Sequence, residues 1–182
     1  MKKYFYGKKI GRKEVMGNEL IGDGKDGEVY QLSEEKCVKI FFNEETQQRE
    51  LEALMAGQSS PVIPTVYEHG ENYIVMEYVQ GVSLARYLKR EKELSEQLAI
   101  KILAMLDELE KIQFKRLDTE VRHILINEEG KLKVIDHKRA FTSDSRVPKK
   151  LLKGLEKLGQ SQVFLNHVKN LRLDSYRMWI KE

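Results

Sequence analysis

An α+β fold is predicted for this chain: a small antiparallel β-sheet carrying one helix, followed by a mainly helical remainder. Three observations point to it. Short runs rich in β-branched and aromatic residues crowd the first 80 residues, each bounded by Gly, Asn or Ser. Two segments, 43–55 and 94–113, repeat apolar residues at helical spacing. Glycines punctuate the first pair of strands at Gly22, Gly24 and Gly27. With 182 residues, of which 41% are hydrophobic, the chain has enough apolar content for one core, as one domain or one domain in two lobes.

The first 13 residues hold Lys2, Lys3, Lys8, Lys9, Arg12 and Lys13 and no acid, while the whole chain carries a net charge of +3, so the basicity is local. Residues 1–17 are expected to be a solvated basic arm or a first strand, with an anionic partner such as RNA or a membrane surface as the alternative. Next comes Gly22-Asp23-Gly24-Lys25-Asp26-Gly27-Glu28-Val29. Its glycines let the backbone fold over an anion and present N–H groups that a Cβ would obstruct, although a plain hairpin uses the same residues. Cys37-Val38-Lys39-Ile40-Phe41-Phe42 is an apolar strand broken by one charge, and a lysine there needs an anion. Asn43 to Met55 reads as a helix. Asn43 is a capping residue, Glu44 and Glu45 suit the first turn, Leu51, Leu54 and Met55 share a face, and Gly57 closes it.

Thr65 to His69 and Tyr73 to Tyr78 read as strands around a Gly70-Glu71-Asn72 turn. Leu94 to Gln113 is the longest periodic segment, with Leu94, Leu98, Ile102, Met105, Leu106, Leu109 and Ile112 on one stripe and Ser95-Glu96 at its start. Ile124-Leu125-Ile126 and the run from Leu132 to Ile135 flank a hairpin at Asn127 to Gly130. Thr142 to Val147 is a polar link. Pro148 opens a helix containing Leu151, Leu152, Leu155 and Leu158 and ending at Gly159. Phe164, His167, Val168 and Leu171 predict another, and Trp179 and Ile180 are expected to pack the closing helix.

In this order the residues resemble a eukaryotic-type protein kinase, in a short divergent form similar to small bacterial kinase-like proteins and, in its economy, to the RIO group. The glycine stretch fits G-x-G-x-x-G-x-V, Lys39 takes the lysine of V-A-I-K, and Cys37 takes its alanine. Arg49-Glu50-Leu51-Glu52-Ala53-Leu54 has the cadence of the αC helix, making Glu50 the partner of Lys39, with Glu52 the fallback. Met76-Glu77-Tyr78-Val79 followed by Gly81 resembles the gatekeeper and hinge. Arg116 to His123 stands beside H-R-D-L-x-x-x-N, and Asp136-His137-Lys138 beside D-F-G. The resemblance implies a bilobal kinase-like fold, with residues 18–79 as the first lobe and 80–182 as a truncated second. It implies ATP with Mg²⁺ or Mn²⁺, and transfer to Ser or Thr of a protein substrate or of the chain itself. Gly22, Gly24 and Gly27 then cover the phosphates, Lys39 binds them with Glu50 aligning it, and Asp118 meets the acceptor hydroxyl. Asp136 holds the metal, with His123 as a second candidate ligand. Adenine lies between Val29, Cys37, Met76 and Leu125, bonded to backbone near Glu77 and Val79.

Several positions depart from the pattern. His123 replaces the metal-binding Asn, and imidazole suits softer metals than Mg²⁺, so one metal or Mn²⁺ is expected. His137 and Lys138 replace Phe and Gly. Glu120 stands where the family has a lysine facing the γ phosphate; Arg122 or Lys138 could restore the charge. Leu117 replaces the arginine that binds a phosphorylated activation loop. Each residue also has a plain structural role open to it: Asp118 and Asp136 as turn residues, His123 and His137 as satisfied histidines, Lys39 with Glu50 as an ion pair. Beside a phosphotransferase, the sequence therefore allows a pseudokinase that binds nucleotide or acts as a scaffold, and a small-molecule kinase.

The single cysteine excludes an intramolecular disulfide, and no stretch is apolar and long enough for a membrane span or secretory signal, so the cytoplasm is expected. No zinc spacing, structural metal, repeat or RNA-binding signature is present. After Lys138 no A-P-E motif occurs, so a long activation segment and a peptide-binding platform are expected to be missing.

Overall fold

The computed structural model describes residues 9–114, 119–141 and 146–181. Asp118 and most of the expected 142–147 link lie outside them. Five strands, β1 (Leu20–Gly24), β2 (Gly27–Gln31), β3 (Lys36–Phe41), β4 (Val66–His69) and β5 (Tyr73–Glu77), make an antiparallel sheet ordered β1-β2-β3-β5-β4. Helix α1 (Glu44–Ala56) connects β3 to β4. The Asn43 side chain caps it by accepting from Thr46 N at 3.0 Å, and Gly57 N donates to Ala53 and Leu54 carbonyls at its end. Its buried residues are Gln47, Glu50, Ala53 and Leu54, whereas Met55 is exposed. Apolar spacing alone rotates the expected face because two of the inward positions are polar. Gln47 earns its burial by donating to Gly70 O at 2.8 Å, which fixes the β4–β5 turn.

The other face of the sheet is covered by residues 9–17, which run as turns and contain no strand. Ile10 and Val15 pack there with Val38, Ile40, Tyr73 and Val75. Asn72 fastens the segment in both directions: Ile10 N donates to its Oδ1 at 2.9 Å, and its Nδ2 donates to Ile10 O at 2.7 Å. Lys9 pairs with Glu44, and Arg12 with Glu28. The described part of the basic stretch is therefore neither a free arm nor a strand, and these two cations face carboxylates of the chain itself.

The second sheet is small: β6 (Gly81–Ser83), β7 (Ile124–Asn127) and β8 (Leu132–Val134), in that order and antiparallel. Around it lie α2 (Leu84–Glu91), α3 (Glu96–Lys111), α4 (Lys149–Lys157), α5 (Ser161–Leu171) and α6 (Leu173–Trp179). Ser95 caps α3 as its sequence predicts, accepting from Leu98 N at 3.2 Å. The α3 stripe of Leu98, Ile102, Met105 and Leu109 packs with Leu84, Leu94, Ile124, Leu151, Leu155 and Phe164. Complete burial of each such side chain contributes about 1.5–3 kcal/mol. This core is continuous with Cys37 and Phe41 of the first sheet and Leu54 of α1. Gln160 locks the α2–α3 connection, accepting from Leu94 N at 3.0 Å and donating to Lys92 O at 3.1 Å. Trp179 stacks on Phe164 with ring centroids 6.1 Å apart, as expected, but Ile180 is 53% exposed and packs nothing away. The sequence also left β6 and α2 unread; their signals are Ser83, which accepts from Arg86 N at 3.3 Å, and Leu84 with Leu88 one turn apart.

The two inner glycines of the first hairpin differ in what they permit. A Cβ on Gly27 would stand 2.0 Å from Ile40 O on β3, while one on Gly24 would meet nothing within 4 Å. Gly27 is thus demanded by strand packing. Gly27→Ala should cost about 1–3 kcal/mol by overpacking, and Gly24→Ala less than about 0.5 kcal/mol. Urea midpoints of the two variants check this; equal midpoints would refute the packing role.

Candidate functional site

Strand alternation sends Val38 and Ile40 to one face of the sheet and Cys37, Lys39 and Phe41 to the other, toward α1. There Lys39 Nζ meets Glu50 Oε2 at 2.7 Å, with the two side chains 13% and 3% exposed. Glu52 is exposed and faces away. Burial drives the Glu50 carboxyl upward, and the Lys39 ammonium beside it works against that shift. The ammonium also lies 4.6 Å from the Phe41 ring centroid.

Cys37 is in register with Met76 on β5, and both belong to the continuous core with Val29 against them. The Cys37 thiol points at Glu77 O, 3.7 Å away, and its burial pushes it up to about 12. Residues 77–80 are fastened to the β2–β3 connection by Tyr78 N to Glu35 O at 2.8 Å and Gln80 Nε2 to Glu34 O at 2.6 Å. The Glu77 carboxylate turns to accept from Lys133 Nζ at 2.7 Å and Thr65 N at 3.1 Å. Val79 is buried, and Leu125 is half-buried on β7.

Asp136 follows β8 with φ 64°, a left-handed conformation that Asp adopts more readily than most residues. Its Oδ1 is buried without a hydrogen-bond partner among the described residues. Lys138 Nζ stands 3.6 Å from that oxygen and also pairs with Asp26, so one lysine joins the β1–β2 loop to Asp136. His123 Nε2 is 3.7 Å from Asp136 Oδ2, and burial lowers its pKa, keeping the imidazole neutral near pH 7. His137 is a satisfied structural histidine: its Nε2 donates to Val134 O at 2.7 Å, its ring lies 5.4 Å from that of Phe114, and burial lowers its pKa to about 4. Glu120 accepts from Arg122 Nε at 2.7 Å and from Lys150 Nζ at 3.2 Å.

A cavity of about 220 Å³ joins these groups, lined among others by Thr119, Glu120, Arg122, His123, Asp136 and Lys150. A larger groove of about 920 Å³ lies between Tyr78, Gln80, Tyr87, Arg90 and Lys101, and contains none of the candidate residues around Asp136. The donor set fits a divalent ion shared with phosphate. A buried carboxylate oxygen without a partner is a hard ligand, and Mg²⁺ is commonly held by one or two carboxylates plus substrate oxygens and water. Among the described residues no group of three His, Cys, Asp or Glu could enclose a metal alone.

Lys39, Glu50, Cys37, Met76 and Val29 are brought together, and so are Asp136, His123 and Lys138. Asp26 and Lys150 were missed. Each carries a local signal: Asp26 is an anion inside a loop suited to anions, and Lys150 is a cation in the first turn of α4, where the helix dipole favours an acid.

The sequence pattern described as the ABC1 atypical kinase-like domain matches residues 32–162. The chain is 28% identical over 122 residues to a Bacillus subtilis (strain 168) protein named "Putative serine/threonine-protein kinase YrzF", covering 64% of this chain and 57% of that one. It is 31% identical over 157 residues to a Clostridium perfringens (strain 13 / Type A) protein named "Probable serine/threonine-protein kinase CPE1738", covering 72% of this chain and 23% of that one. The chain thus spans little more than half of the first relative and under a quarter of the second.

Proposed function

This chain belongs to the ABC1 atypical kinase-like domain family, and on that premise we propose that it binds ATP and transfers a phosphoryl group to a Ser or Thr of a protein or of itself, in the cytoplasm. The observation that carries this is the conjunction of the buried Lys39–Glu50 pair with the unpartnered Asp136 oxygen. A buried ion pair is weak evidence for stability, and an orphaned carboxylate costs stability outright, so their presence asks for a ligand.

In this reading β1–β5 with α1 form the first lobe, residues 18–79, with α1 as the family's αC, and residues 80–182 form the second. Gly22, Gly24 and Gly27 bend the loop over the phosphates. Lys39 binds them, held in place by Glu50. Val29, Cys37, Met76 and Leu125 enclose the adenine, whose polar edge bonds to backbone of Glu77 and Val79. Asp118 orients the acceptor hydroxyl and holds its proton. Asp136, with His123 beside it, holds Mg²⁺ or Mn²⁺; when bound, that ion neutralises charge on the phosphate oxygens. A second reading, a nucleotide-binding regulator without transfer, is favoured by Lys138, whose ammonium lies between Asp26 and Asp136 where a divalent ion would otherwise supply the charge.

Calorimetry with ADP and ATP, with Mg²⁺ and Mn²⁺, tests the proposal. Saturable binding is expected, weakened in Lys39→Ala by about 1.5–3 kcal/mol, the worth of a charge-assisted contact. In parallel, saturating nucleotide should slow maleimide labelling of Cys37 at alkaline pH. No binding at millimolar nucleotide, or labelling indifferent to nucleotide that does bind, would refute the placement of the site.

A further inference from the structure

We propose that Arg122 and Lys150, bridged by Glu120, form an anion subsite on the acceptor side of Asp136, so that the preferred substrate segment carries a carboxylate or phosphate beside its hydroxyl. The inference rests on the kinase reading above for the word acceptor, but the anion site itself does not. The cavity at Asp136 is lined by four cations, Arg122, Lys138, Arg139 and Lys150, and by two carboxylates, Glu120 and Asp136. Lys138 is held by Asp26 and Asp136, while Arg122 and Lys150 share the one carboxylate of Glu120, and the summed field of such a concavity draws an anion. Glu120 uses both oxygens to hold two of the cations, one from its own loop and one from α4. Arg122 spends only Nε on this contact, and no group among the described residues accepts from its two terminal nitrogens. A guanidinium so held presents a fork suited to carboxylate or phosphate oxygens.

The position of Lys150 supports the same conclusion. Lys149 and Lys150 open α4, no acid stands in its first turn, and cations there oppose the helix dipole. The arrangement goes against local helix preference but places a cation and the α4 N-terminus beside one cavity. The side of Asp136 is also defined. No residue of the β1–β2 loop, nor Lys39, Cys37 or Met76, lines this cavity. It opens instead beside Thr119 and Glu120, at the loop that continues from Asp118. The cavity holds Asp136 and His123 but none of Gly22, Gly24, Gly27 or Lys39, so in the kinase reading an anion on Arg122 and Lys150 lies on the side of the loop that continues from Asp118. Glu120 then changes its meaning: the acid that replaces the family's lysine is the bracket that positions two cations.

The test uses the full chain at low salt with phosphoserine and inorganic phosphate as probes, followed by calorimetry, with ADP affinity measured on the same samples. Wild type should bind phosphoserine saturably, and Arg122→Gln/Lys150→Gln should weaken it at least about tenfold, the scale of one charge-assisted bond. Lys101→Gln, on the far groove, should change nothing. If the double variant fails to fold, Arg122→Gln alone decides, because that side chain is 68% exposed: weaker phosphoserine binding supports the subsite, and unchanged binding overturns it. Absence of phosphoserine binding in wild type, or equal binding in the double variant, also overturns it. ADP binding without an anion site refutes this inference alone; an anion site without ADP binding refutes the kinase reading alone. Where turnover is measurable, serine peptides flanked by glutamate or phosphoserine should be used at least about tenfold better than lysine-flanked ones, and the ratio between the two acidic sets tells which anion is preferred.

Discussion

Asp136→Asn should reduce metal-supported phosphoryl transfer by about a thousandfold or more, the equivalent of several kcal/mol of charge stabilisation by a bound ion, without lowering the stability of the fold. The two halves of this expectation come from the same atom. Oδ1 is buried and has no hydrogen-bond partner among the described residues, so in the absence of ligand its carboxylate charge is poorly compensated. Lys138 at 3.6 Å supplies attraction but no hydrogen bond, and that lysine is already engaged with Asp26. An unsatisfied buried polar group costs about 1–3 kcal/mol. Asn keeps the shape, drops the charge and is equally at ease at φ 64°. Its melting temperature should match or exceed that of wild type, while binding of MgADP weakens toward that of ADP alone. Such opposition between stability and function is what a ligand site produces. A variant that loses stability together with activity would instead make Asp136 a structural partner of Lys138. One that keeps its metal-dependent binding would move the metal elsewhere.

How far the chain could be read before its fold was known depended on how local each signal was. Asn43 with Gly57, and Ser95 with its stripe through Leu109, bracket α1 and α3 because caps and periodicity act within a few residues. Lys39 was legible because a charge on a buried strand requires a counter-charge, and Glu50 lies within the next helix. Helix α2 escaped because a span of eight residues is too short for a periodic stripe to stand out. Met55 was misplaced since Gln47 and Glu50, both inward, carry no apolar signal. The pairs Asp26–Lys138 and Glu120–Lys150 are separated by 112 and 30 residues, and nothing local tells which lysine will cross to which acid. What was visible instead was a misfit: an acid in an anion-suited loop, an acid at a lysine position, a lysine in a helix's first turn. Misfits of that kind concentrate at functional sites, where local preference yields to chemistry.

Lys39→Met should lower stability by about 3–5 kcal/mol at neutral pH, the cost of leaving a buried charge without its partner, and the loss should grow as pH rises. Glu50, 3% exposed, has a carboxyl already raised by burial, and the two influences that hold it down most are both Lys39: its charge and its hydrogen bond. Removing them lifts the folded-state value further above the unfolded one, which stays near 4.3. A group raised in the folded state contributes stability that is fully present below its unfolded pKa and is lost as pH climbs through its folded pKa. Denaturation at a series of pH values should therefore show Lys39→Met closest to wild type near pH 4–5 and furthest from it near pH 8. Lys39→Met/Glu50→Leu should recover most of the loss, since an apolar pair of similar volume replaces a buried ion pair at little cost, yet nucleotide binding should stay weakened by about 1.5–3 kcal/mol in both. Recovery of the fold without recovery of binding separates what the pair does for the core from what Lys39 does for phosphate. If the single variant lost the same stability at every pH, Glu50 would have to be solvated in the native protein, and Lys39 would lack the partner that here holds it at 2.7 Å.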